Sequence, residues 1–109
     1  MTGYVQVLTT VSSPEEAERI CDALVEARLA ACVQVAGPVS STYRWQGEVE
    51  RAQEWQCLAK TEARLYPEVE AQIRRVHPYD EPEILAIPVL AGSRGYLEWV
   101  SASVREDGG

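Results

Sequence analysis

Apolar and polar residues alternate from Tyr4 to Val11, first as Tyr/Gln against Val and then as Leu-Thr-Thr-Val, and this period of two predicts a strand of central character. Ser13-Pro14-Glu15-Glu16 is a dense helix start: Ser13 can cap, Pro14 suits the first helical position, and Glu16 completes a capping box. The helix is expected to run to about Leu29, with Ala17, Ile20, Leu24 and Ala27 on one face and Glu18, Arg19, Asp22, Glu26 and Arg28 in water. Ala31 to Thr61 then reads as one long β-hairpin. Its first arm is Cys-Val-Gln-Val-Ala (32–36), a Gly37-Pro38 interruption, and Val39 to Trp45; Gln46-Gly47-Glu48 is the tip, and the return arm runs from Val49 to Lys60. Leu65, Val69, Ile73 and Val76 are spaced for a second helix over roughly 65–77, which His77-Pro78 ends because proline disfavours a helical conformation in the residue before it. Tyr79 to Pro82 is a loop. Glu83 to Leu90 is a strand whose Pro88 places a bulge or an edge there. A third helix spans Arg94 to about Val104 with Tyr96, Leu97 and Val100 inward, and Glu106 to Gly109 is a frayed tail.

The order β-α-β-β-α-β with an added C-terminal helix predicts an α+β, ferredoxin-like sandwich: one domain over residues 1–109, with helices on one face of an antiparallel sheet. The hairpin is disproportionate. Each arm of about 14 residues spans roughly 45 Å at the usual rise of a strand, while a compact domain of this length has a radius of gyration of only ~13 Å. Its tip half carries Tyr43, Trp45 and Trp55, and long edges with bare aromatics are a liability for a soluble monomer. Other copies of the chain are therefore expected to cover it.

Composition changes this picture little. At 109 residues, 46% hydrophobic and 25% charged, the chain has globular proportions, and the absence of Phe leaves the aromatic role to Tyr and Trp. A net charge of −7 argues against nucleic acid, whose phosphates need clustered Lys and Arg. Membrane association is not expected either: there is no basic amphipathic helix and no apolar run of transmembrane length. Cys21, Cys32 and Cys57 are odd in number and lack any CxxC spacing, so they read as buried thiols rather than a disulfide frame or zinc site. The N-terminus goes straight into a strand without a charged leader, which gives a cytoplasmic location as the default expectation.

Three segments carry a resemblance: Leu-Ala-Ala-Cys-Val-Gln-Val (29–35), Ser-Thr-Tyr-Arg-Trp-Gln-Gly-Glu-Val (41–49), and Val76-His-Pro-Tyr-Asp-Glu-Pro-Glu-Ile-Leu-Ala-Ile-Pro-Val89, with Gly95 to Val100 as a closing helix. Together they resemble the CutA family, linked to divalent-cation tolerance, over nearly the whole chain. The resemblance implies a tight homotrimer of ferredoxin-like subunits joined edge to edge through the hairpin, and a closed ring is physically sensible because it leaves no hairpin edge unpaired. It also implies association with copper and other divalent ions. Some bacterial members carry a Cys late in the first strand and a His pair before the proline of the His-Pro-Tyr segment. The corresponding positions here are Thr9, Val76 and His77, and only His77 is retained.

His77 is the sole histidine, and neutral imidazole is a common ligand for copper and zinc. Asp80, Glu81 and Glu83 lie beside it and can add oxygen ligands, so the expected cofactor is a weakly bound copper(II) or other divalent cation. The bland alternative puts His77 at a helix C-terminus, where its charge favours the dipole. Lys60 and Tyr79 are candidates for a small-ligand pocket between subunits, as in the related PII-type signalling trimers; a lysine snorkelling from a strand is the alternative for Lys60. Tyr43, Trp45 and Trp55 are assigned to the trimer interface, with ligand stacking as their other use. No nucleophile-and-base set or phosphate loop is present, so no enzyme activity is expected. The reading is a homotrimeric metal-ion-binding protein of metal tolerance. A small-ligand signalling trimer and a scaffold for an unknown protein partner are its rivals.

Overall fold

The computed structural model describes residues 2–106. Alternation makes Tyr4–Val11 a strand, β1, whose Val5, Val7, Thr9 and Val11 are buried on one face. Pro14–Glu26 is the first helix, α1. Ser13 caps it: its hydroxyl accepts from the Glu16 N–H at 3.1 Å. The reciprocal arm of the box reaches one residue further back than expected, since Glu16 Oε1 accepts from the Ser12 N–H at 3.1 Å. The helix stops near Glu26, short of the expected Leu29, because Arg28 takes a left-handed conformation (φ 57°).

Cys32–Trp45 (β2) and Glu48–Glu62 (β3) are the two arms of the hairpin. They are joined by a two-residue turn at Gln46-Gly47, where both φ angles are positive (50° and 83°). The pairing register shifts between Ala36 and Val39, where Gly37-Pro38, a cis peptide, forms an irregularity. A Cβ on Gly37 would stand 2.5 Å from Trp55 Cδ1, so only glycine lets that indole lie against the backbone. The molecule extends 44 Å along its longest axis, with a radius of gyration of 14.4 Å.

A short 3-10 turn, Ala63–Leu65, leads into the second helix, α2 (Tyr66–Val76). The last strand, β4, is Ile84–Pro88, shorter at both ends than the expected Glu83–Leu90, and α3 is Arg94–Ser103. The sheet order is β2-β3-β1-β4, all antiparallel, which is the ferredoxin-like arrangement with β1 central. Pro88 is accommodated because β4 is an edge strand.

The core lies between one sheet face and α1 and α2: Val7, Val11 and Cys57 meet Ala17, Ile20, Leu24, Val69 and Ile73. Three expectations change here. Trp55 does not belong with the bare tip; it pairs with Val11 across the sheet and packs on the core. Tyr96 is exposed rather than inward, because α3 buries only Val100 of that face and leaves Leu97 half-buried. Of the three thiols only Cys57 is fully buried; Cys21 and Cys32 are partly exposed. Of the tail, residues 107–109 lie outside the described residues.

Candidate functional site

The His77 segment starts from Pro78. It forces His77 out of the helix into an extended conformation (ψ 135°), while the His77 N–H still closes α2 on the Ile73 carbonyl at 2.8 Å. The imidazole thereby turns back under the sheet. Nε2 lies 2.9 Å from the Thr10 carbonyl, and Nδ1 accepts the Tyr79 N–H at 3.1 Å. Since Nδ1 is an acceptor, the proton sits on Nε2 and is donated to Thr10: the ring is the neutral tautomer with both nitrogens engaged. Burial pushes its pKa below the ordinary value, against smaller opposing pulls from the Thr10 carbonyl, Glu16 and Glu54. His77 is thus a strut that ties the Tyr79–Glu83 loop to β1. It offers a cation no free nitrogen in this arrangement.

Tyr79 extends the strut. Its ring meets His77 edge-on at 4.8 Å, and its hydroxyl donates to Glu54 Oε2 on β3 at 3.0 Å. Burial, then the bond to Glu54 and its charge, push the phenol up to about 12. The loop is therefore held against the hairpin, and the space between them is a cleft of about 750 Å³. Glu50 and Glu54 line it from β3, and Asp80, Glu81 and Glu83 from the loop, together with Tyr43 and Trp45 of β2; among the described residues no Lys or Arg lines it. Glu81 is partly neutralised from outside by Arg74, 3.3 Å away.

Asp80, Glu81 and Glu83 are exposed and share this cleft, as their proximity in sequence implies. Glu50 and Glu54, absent from the sequence reading, complete it. Their four-residue spacing puts both side chains on one face of a strand, a signal that was readable. Lys60 does not join Tyr79. It lies on the sheet face away from α1 and α2, donates to Gln34 Oε1 at 2.5 Å, and lines a separate cleft of about 200 Å³ with Tyr4, Tyr96 and Leu97. Within one chain the two proposed pocket residues therefore belong to different places. Among the described residues no group of three or more His, Cys, Asp or Glu side chains is already gathered as a chelate.

Comparison with known proteins adds what geometry leaves open. The model of a family described as CutA1 divalent ion tolerance protein matches residues 5–103. The chain belongs to that family. A divalent-cation tolerance protein CutA of Thermus thermophilus is 48% identical over 94 residues, 86% of this chain and 91% of its own length. A chloroplastic CutA protein of Arabidopsis thaliana is 34% identical over 93% of this chain and 56% of its own length. In three dimensions the periplasmic divalent cation tolerance protein CutA of Archaeoglobus fulgidus superposes with a TM-score of 0.90 at 36% identity, covering 94% of this chain and 99% of that one. CutA1 membership ties the chain to tolerance of divalent ions. It also overturns the cytoplasmic assignment, since relatives are described as periplasmic and chloroplastic. Among the described residues no helix is long and apolar enough to cross a membrane.

Proposed function

We propose that the chain serves divalent-cation tolerance as a homotrimer joined through its hairpins, binding cations weakly at the acidic cleft and catalysing no reaction. One observation supports the cation contact: five acidic residues line a cleft that, among the described residues, no Lys or Arg lines. Oxygen donors without a ready-made chelate favour weak, exchangeable binding. Among common first-row divalent ions copper(II) binds an O/N site tightest, so it is the ion to try first. His77 and Tyr79 serve by holding the loop in place.

The assembly follows from the sheet edges. β2 and β4 each have one side unpaired among the described residues, and the exposed Leu85 and Ile87 of β4 and Tyr43, Trp45 and Val49 of the hairpin are costly to leave in water. Pairing the edge of one subunit with the other edge of the next is a heterologous contact, which gives a ring when its rotation closes. In such a ring the carboxylates of one cleft can be joined by donors from a neighbour.

Native mass spectrometry with copper(II) tests both parts. The expected species is a trimer carrying three ions. Glu50→Gln/Asp80→Asn/Glu83→Gln should keep the trimer and weaken copper binding by roughly tenfold or more, about 1.4 kcal/mol. A monomer overturns the assembly, and unchanged copper affinity in the triple variant overturns the cleft.

A further inference from the structure

The helix-covered side of the sheet holds two thiols that the acidic cleft does not use. Cys57, on β3, is directly opposite Thr9 of β1, and its Sγ reaches the Ala17 carbonyl of α1 at 3.8 Å. Cys21 is one turn further along α1. A helical side chain leans back over the turn before its own Cα, which brings Cys21 Sγ over that same carbonyl. Burial raises the pKa of both thiols, Cys57 to about 12. Cys57 is 1% exposed, while Cys21 is only partly buried, so the pair is closed toward the sheet and open toward solvent along α1. Thr9 Oγ1 is buried and finds no hydrogen-bond partner among the described residues, and the strand register sets Thr9 beside Cys57. Buried hydroxyls are seldom left unsatisfied.

We propose that Cys21 and Cys57 form a second cation site, which takes one thiophilic divalent ion as a two-coordinate bis-thiolate. Charge decides the class of ion. Two thiols release two protons to solvent as they bind a divalent ion, forming two metal–sulfur bonds and a product of zero net charge. The surroundings are Ala17, Ile20, Val7 and Val11, an apolar enclosure that penalises any residual charge. A monovalent soft ion bound the same way leaves the pair at −1. A hard divalent ion prefers oxygen and belongs in the cleft. Two-coordination also fits the supply of sulfur, because Cys32 pairs with Lys60 and so lies on the opposite sheet face from Cys57. The site shares no residue with the acidic cleft and stands or falls separately from it.

Mercury(II) is the probe. The full chain is loaded with one equivalent of mercuric chloride, dialysed against excess glutathione, and the retained metal is counted by native mass spectrometry beside the sulfur-to-mercury absorption band. Wild type and Cys32→Ala should each keep one ion per chain. Cys21→Ala and Cys57→Ala should hold mercury roughly 100-fold less well, since the second thiolate acts at high effective concentration. Mercury should raise the melting temperature of the wild type, as a ligand of the native state does. The Glu50→Gln/Asp80→Asn/Glu83→Gln variant should retain mercury unchanged, which keeps a failure of the cleft apart from a failure of this site. Should Cys57→Ala fail to fold, Cys21→Ala at its partly exposed position decides alone. Full retention by Cys21→Ala, loss in Cys32→Ala, or a fall in melting temperature on adding mercury overturns the proposal.

Discussion

The long hairpin is two objects in one piece of chain. At its base, Val33 and Val35 pair with Ala59 and Cys57, and the helix-facing residues of the return arm are buried: Cys57 and Ala59 are each 1% exposed and Thr61 is 0%, while Val35 on the edge arm keeps 44%. Beyond the irregularity at Gly37-Pro38 the same kinds of residue stand in water, with Trp45 57% and Val49 63% exposed. β-branched and aromatic content does not separate the halves. What separates them is that the base packs against the core under α1, while among the described residues the tip side chains stay exposed. Burial of a strand is decided by what lies over it.

The comparison can be broken from its strong side first. Ile73 of α2 is 1% exposed in the layer that supports the base. Ile73→Ala should cost about 2–5 kcal/mol in denaturant unfolding, the range for a truncated core aliphatic. A loss below about 1 kcal/mol would mean that the base is not the rigid half. The junction comes next. Gly37→Ala drives a Cβ into the Trp55 ring, which already packs on the core and has little room to yield. Overpacking of this kind should cost about 1–3 kcal/mol. An unchanged melting curve would show that the indole moves and that the two halves are less firmly separated. Smallest is the tip: Trp45→Ser should change the folding stability of an isolated chain by less than about 0.5 kcal/mol, yet shift the oligomer distribution toward monomer in native mass spectrometry. A core-sized loss of stability in the isolated chain would erase the distinction.

The two halves also differ in how much of them a sequence displays. Helical spacing of Ala17, Ile20 and Leu24, and of Val69 and Ile73, was enough to find α1, α2 and the core face, because period and burial report the same contact. The turn at Gln46-Gly47 and both arms were legible for a similar local reason. Trp55 was misplaced because its environment depends on which residue of β1 it meets, and Val11 is 44 positions away in the chain. Tyr96 was misplaced because α3 lies by Tyr4 and Lys60, on the sheet face away from α1 and α2, and buries a narrower stripe than its pattern suggests. At the candidate site the loop carboxylates were visible as neighbours. The role of His77 was not: one of its two bonds goes to Thr10, 67 residues away. A ring read in isolation is a free ligand; with its partners in place it is a strut.

The position of β1 sets the order in which the chain can be completed. The first strand to emerge in synthesis is flanked by β3 and by β4, the last strand made, and Thr2 and Tyr4 are tied to Val89 by hydrogen bonds. Until residue 88 is available, one side of β1 has no partner, and no amino-terminal fragment can close the sheet. Pairings so distant in sequence must form against a large loop-closure entropy. The sheet is therefore complete only once its first and last strands have paired.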